Sequence, residues 1–213
     1  LPNKEMKRMK SLITVIGLTL ASTIVVAADS SATAAYVGNA DQGKSKSVTC
    51  AGCHGADGNS AVADYPKLSG QHATYLQSTL KAYRDGSRAN AIMAGFAAAL
   101  SDEDIADLAA YFSAQTPSTG AVEADLVARG QQLYRFGDSE KGISACAACH
   151  GPTGAGVASA VFPSLKGQWA AYSETQLKAY RDGQRQHVMM NGVAKNMSDA
   201  DIKAVASYVG GLQ

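Results

Sequence analysis

The apolar positions of this chain fall in helical registers, with no convincing alternating strand, which predicts an all-α protein. Near the middle, Ser101 caps a helix with Asp104 in the capping-box position, and Ile105, Leu108, Ala109 and Phe112 make one apolar face. The same pattern closes the chain, with Ser198, Asp201, Ile202, Val205, Ala206 and Val209. An earlier helix is predicted from about Ala73 to Tyr83, ending near Gly86, and is mirrored by Tyr172 to Tyr180 and Gly183. The opening stretch is different. A cationic head precedes an apolar run from Leu12 to Ala28, then small residues, as in a secretory signal peptide at 1–34 cleaved after Ala28 or Ala34. The alternative, an uncleaved anchor, is disfavoured because the run is slightly short of the roughly 20 residues a spanning helix needs.

These mirrored elements belong to a duplication. Shifting the second half by 96 to 97 positions lays "YPKLSGQ" (65–71) on "FPSLKGQ" (162–168), "LKAYRDGSR" (80–88) on "LKAYRDGQR" (177–185), and "MAGFAAALSDEDI" (93–105) on "MNGVAKNMSDADI" (190–202). Between the copies, "SAQTPSTGA" (113–121) has a linker composition and cannot carry a helix through Pro117. The expected organisation is a first domain at 36–114, a linker at 115–121 and a second domain at 122–213. One departure from simple duplication is visible. Gly130 to Cys146 is longer than Gly43 to Cys50, which leaves the first domain's opening helix undetermined.

Charge narrows the function classes. The formal net charge of +1 comes from the export segment, which holds Lys4, Lys7, Arg8 and Lys10 against Glu5 and Asp29; of 19 basic and 18 acidic residues, 15 and 16 remain beyond it. No basic tract supports nucleic-acid binding. Helical units of this size also have small cores of their own, so something else must fill them.

All four cysteines lie in the repeat, as "CAGCHG" (50–55) and "CAACHG" (146–151). A structural zinc site would gather four thiolates, but these pairs lie one in each repeat and a histidine follows both. A thioredoxin-like dithiol needs a βαβ context that is absent from the pattern. Cys-x-x-Cys-His is the attachment signature of c-type haem. Thiols at i and i+3 reach the two vinyl groups from one side of a helical turn, and the next residue's imidazole faces the iron. Two covalent haems are thus expected, on Cys50 and Cys53 with His54, and on Cys146 and Cys149 with His150. Such attachment occurs outside the cytoplasm, in accord with the export signal.

Each iron needs a sixth ligand, and only one methionine recurs in register: Met93 with Met190, each eight residues before its helix-capping serine. Met189 aligns with Ile92 and Met197 with Leu100, so both are expected in the core. His72 and His187 have no histidine counterparts and read as surface or structural residues. Pro66 and Pro163 follow the two motif histidines by 12 and 13 residues, and a carbonyl there could fix the ring through Nδ1. Arg84 and Arg181, in the repeated "AYRDG", read mostly as helix ends that could also approach haem propionates.

These motifs, with "MAGFAAALSDEDIADLAAYF" and its second copy, resemble the tandem diheme class I cytochromes c of the c4 type over nearly all of residues 36–213. The resemblance implies two cytochrome c folds joined by a short linker, His54 with Met93 and His150 with Met190 as axial pairs, and propionates near the domain interface. It also implies electron transfer in the periplasm from a quinol-oxidising bc complex towards a terminal oxidase, with loose membrane attachment left open. With both axial positions closed, the chain is expected to carry electrons rather than act as an enzyme. The competing readings are the haem subunit of a dehydrogenase, for example in sulfide oxidation, and a diheme peroxidase, which needs an open iron.

Overall fold

Asn39 starts the first helix by accepting hydrogen bonds from the backbone N–H groups of Asp41 and Gln42. The computed structural model describes residues 36–213, so the expected export signal lies outside the described residues. The first repeat contains α1 (Ala40–Lys46), α2 (Val48–His54), α3 (Ala73–Asp85), α4 (Ala91–Ala97) and α5 (Asp102–Ser113). The second contains α6 (Val127–Phe136), α7 (Ala147–His150), α8 (Ala170–Arg181), α9 (Met190–Ala194) and α10 (Asp199–Gly210). Among the described residues the β content is two isolated bridges, Asp138 with Ile143 and Val157 with Phe162. None of the described helices is long and apolar enough to cross a membrane. Both repeats belong to one structural unit.

The closing helices form as their sequence patterns require. Ser101 and Asp104 build a capping box on α5, and Ser198 with Asp201 build its copy on α10. Ile105, Leu108, Ala109 and Phe112 are buried, as are Ile202, Val205, Ala206 and Val209. The opening helix of each repeat packs on the closing one, α1 on α5 and α6 on α10. A glycine marks each crossing: Gly43 faces the Asp107 carbonyl, and Gly130 faces the Ala204 carbonyl and the Tyr208 Cβ. A side chain at either position would overlap those atoms.

The extra residues of the second repeat form a turn. Asp138 and Ile143 exchange backbone hydrogen bonds of 2.8 Å, which buries Ile143 beside Leu133, Tyr134 and Met197. The first repeat lacks this turn and passes from α1 through Ser47 directly into α2.

Each crossing also holds a buried carboxylate. Asp107 accepts from Tyr36 Oη (2.7 Å), the Asn39 N–H (2.6 Å) and Lys46 Nζ (2.6 Å). Asp201 accepts from Arg129, Lys141 and Ser198. Burial pushes both carboxyls up, but these donors outweigh it and hold both below the ordinary value.

The linker is more than a tether. Gly120 N–H donates to the Gly210 carbonyl at 3.0 Å, the Ser118 carbonyl accepts from Lys67 Nζ at 3.1 Å, and Ser118 N–H donates to Asn59 Oδ1 at 2.8 Å. The segment expected to connect the two domains is therefore hydrogen-bonded to both.

Candidate haem-binding sites

Cys50, Cys53 and His54 share α2, while Cys146 lies immediately before the single turn that carries Cys149 and His150. The glycine after each histidine has a left-handed backbone, φ 80° at Gly55 and 77° at Gly151, so the helix stops there and the chain turns back. The returning loops are tied alike, Leu68 N–H to the Gly58 carbonyl and Leu165 N–H to the Gly154 carbonyl, both at 2.7 Å.

That return brings a proline carbonyl to each histidine. Nδ1 lies 2.8 Å from the Pro66 oxygen in His54 and 2.9 Å from the Pro163 oxygen in His150. A carbonyl only accepts, so Nδ1 carries the proton and Nε2 keeps its lone pair. Neither Nε2 has a hydrogen-bond partner among the described residues. Burial pushes both imidazoles below their usual pKa and outweighs the proline carbonyl, which acts in the opposite sense. Each ring is buried, neutral and presents Nε2, the form that a metal accepts.

Burial disfavours the thiolate at two of the four cysteines. No disulfide joins the four cysteines. Burial pushes Cys50 up and Cys146 up to about 11, the reverse of the depressed thiols that dithiol exchange uses. Among the described residues, no group of three or more His, Cys, Asp and Glu converges as a metal site.

Met93 and Met190 are both half-buried and lie in the short helices α4 and α9. The N–H of Met93 donates to Asn90 Oδ1 at 2.9 Å, and that of Met190 donates to His187 Nδ1 at 3.3 Å. Asn90 and His187 are equivalent in the repeat, so the unmatched histidine replaces an asparagine in the same task. Met197 is in the core at 3% exposure, but Met189 is 44% exposed, which corrects its expected place in the core. It follows Ile92, its exposed counterpart.

Where the sequence suggested that Arg84 and Arg181 could meet propionates, the structure gives them other partners. Arg84 donates to the Leu100 carbonyl (2.8 Å) and Asp102 (2.6 Å), and Arg181 to the Met197 carbonyl (3.2 Å) and Asp199 (2.6 Å). Each ties the end of one helix to the start of the closing helix.

The repeats meet through reciprocal contacts. Gln71 binds the backbone of Ser164, and its counterpart Gln168 binds the backbone of Lys67. Arg88 donates to Tyr172 Oη at 3.0 Å, while Arg185 donates to Tyr75 Oη at 3.1 Å. His72 bonds to the Ala155 carbonyl, and Trp169, its counterpart, donates to Ser60. Lys67 is buried with its ammonium 4.3 Å from the Trp169 ring centre, and burial pushes its pKa down. Among the described residues, Lys67, Arg88 and Arg185 have no carboxylate partner. Apart from His72, which it gives as a surface or structural residue, the sequence reading missed these contacts, although Gln71 and Gln168 end the repeated "YPKLSGQ" and "FPSLKGQ" segments.

The cytochrome c family profile matches residues 40–115 and 127–213, one copy on each repeat. The chain belongs to the cytochrome c family. Cytochrome c4 of Pseudomonas aeruginosa is 43% identical over 179 residues, covering 82% of this chain and 89% of that protein. The crystal structure of reduced recombinant cytochrome c4 from Pseudomonas stutzeri superposes with a TM-score of 0.80 at 41% identity, covering 83% of this chain and all of that one. A thiosulfate dehydrogenase electron acceptor of Thiomonas intermedia is 42% identical over 175 residues, covering 77% of this chain and 78% of that protein. This cytochrome is therefore of the tandem diheme c4 type, has two all-α cytochrome c domains, carries two covalent haem c groups, and transfers electrons rather than catalysing a reaction.

Proposed function

We propose that the chain is a periplasmic carrier that takes electrons from a quinol-oxidising bc complex and passes them towards a terminal oxidase. The observation that carries this reading is the duplicated histidine geometry, in which Nδ1 is held by Pro66 or Pro163 and Nε2 is left to ligate. On this reading Cys50, Cys53, Cys146 and Cys149 would form the thioether bonds, and His54 with Met93 and His150 with Met190 would ligate the two irons. The domains are 36–114 and 122–213, with 115–121 between them. When bound, each haem iron supplies a one-electron ferric/ferrous couple. The protein's part is to fix the ligands, exclude water and place two centres in one unit. The uncompensated cations Lys67, Arg88 and Arg185 suit propionates at the interface better than Arg84 and Arg181, whose partners are already on the protein.

A second reading, electron acceptor of a dehydrogenase, is favoured by the thiosulfate dehydrogenase electron acceptors among the relatives. Stopped-flow reduction separates the two. A purified bc complex with quinol should reduce the protein faster than a thiosulfate dehydrogenase with thiosulfate, and subsequent exchange between the haems should not slow on dilution. Faster reduction by the dehydrogenase would replace the first reading with the second. Exchange proportional to protein concentration would show that the two domains act independently.

A further inference from the structure

The proline carbonyls that hold the histidines belong to peptides that also reach the opposite domain. The Pro66–Lys67 peptide accepts from His54 Nδ1 at 2.8 Å through its C=O and donates to Gln168 Oε1 at 3.0 Å through its N–H. The Pro163–Ser164 peptide accepts from His150 Nδ1 at 2.9 Å and donates to Gln71 Oε1 at 2.9 Å. Each glutamine returns a bond through Nε2, to the Lys67 carbonyl at 3.0 Å or the Ser164 carbonyl at 2.9 Å. Each Oε1 also accepts the N–H of the following residue, His72 or Trp169, at 3.0 Å, which fixes the side-chain amide. Gln71 is buried. The result is two crossed chains of hydrogen bonds, each running from a glutamine of one domain through one peptide to a histidine of the other.

We propose that Gln71 and Gln168 are positioning residues that tune each other's domain: Gln71 sets the donor strength of His150, and Gln168 that of His54. The proposal rests on the reading of those histidines as iron ligands. A peptide's N–H and C=O share one π system, so an acceptor at N–H adds electron density to the carbonyl oxygen. Bonds chained in this way strengthen one another by about 10–30% inside a protein. A stronger acceptor at Nδ1–H makes Nε2 a better donor, which favours the oxidised state of the centre it ligates. Each centre thus senses whether the domains are docked.

The crossing gives a signature that simple interface stabilisation would not. Gln71→Met keeps the side chain's length and removes its bonds to the Pro163–Ser164 peptide. His150 then becomes the weaker donor, the second centre is easier to reduce, and electrons shift towards the second domain. Gln168→Met should shift them towards the first. The expected change in the partition constant is about two- to tenfold, from the weakening of one bond in such a chain. Thr74→Val, which removes the bond from Thr74 Oγ1 to the Ala158 carbonyl but touches neither peptide, should leave the partition unchanged.

The experiment is a redox titration of the full holoprotein with each haem resolved by NMR, together with the Nδ1–H resonances of His54 and His150. Opposite shifts in the two glutamine variants, with the Nδ1–H of the opposite domain alone moving upfield, are the expected result. Shifts confined to the mutated domain, equal shifts of both centres, including those caused by undocking, or no shift would overturn the proposal. If the ligand reading itself were wrong, iron-shifted resonances of His54 and His150 would be missing from the unsubstituted protein.

Discussion

Met190→Ala should abolish the sulfur-to-ferric-iron charge-transfer band of the second haem, whereas Met189→Leu should leave it intact. The adjacent methionines are separated by the repeat and by their environments. Met190 aligns with Met93 and is half-buried like it, whereas the His187 Nδ1 contact does not separate the pair, because it accepts from both backbone N–H groups at 3.3 Å. Met189 aligns with Ile92, and both are exposed, at 44% and 62%. A thioether ligand must be shielded from water, which suits the half-buried residue in register rather than its exposed neighbour. Loss of that ligand should also lower the second haem's reduction potential and leave the first haem's band unchanged, because methionine ligation favours the reduced state. Red-edge absorption of the oxidised protein, followed by titration, reads both effects. Loss of the band in Met189→Leu with retention in Met190→Ala would show that the register is wrong.

A second large effect is expected at the helix crossings. In Gly130→Ala, the new methyl would overlap the Ala204 carbonyl and the Tyr208 Cβ; in Gly43→Ala, it would overlap the Asp107 carbonyl and the Tyr111 Cβ. The nearest atoms are backbone, so relief requires α6 to lift from α10, or α1 from α5. Overpacking of this kind costs about 1–3 kcal/mol, against about 1 kcal/mol gained from alanine's better helix propensity. Gly43→Ala should be the more damaging, because Asp107 on the facing turn holds Tyr36, Asn39 and Lys46 together. A lowered denaturant midpoint at unchanged slope would meet the expectation. A midpoint equal to or above that of the unsubstituted protein would show that the crossings are looser than the structure implies.

The parts of the fold legible in the sequence are those with local causes. Ser101 with Asp104, and Ser198 with Asp201, announce α5 and α10 because a capping box needs only four consecutive residues. Gly86 and Gly183 mark the ends of α3 and α8 because a left-handed backbone favours glycine. The helices α4 and α9 were not anticipated, since five to seven residues are too few to show a period. Met189 was misplaced because its exposure depends on how the turn before α9 packs. Asp107 looks like any polar residue of an acidic helix, and only the fold sets it against Tyr36 and Lys46. The Ser, Thr, Pro and Gly content of the linker suggested a tether. Its bonds to Lys67, Asn59 and Gly210 come from tertiary packing.

At the candidate site, the sequence singles out the cysteines, the histidines and the prolines because the repeat prints each of them twice. It also printed Gln71 and Gln168 twice, but with no indication that each reaches into the other's domain. Arg84 and Arg181 show the converse limit: the repeat reads them mostly as helix ends, while their partners at the starts of α5 and α10 could be assigned only from the fold.

Two attachment sites of the same construction should each hold a covalent haem. Mass spectrometry of the denatured, reduced holoprotein measures this directly. The expected mass is that of the mature chain plus two haems, falling to one haem when Cys146 and Cys149 are both replaced by serine. A chain that leaves the denaturant as apoprotein, or with a single haem before any substitution, would contradict it.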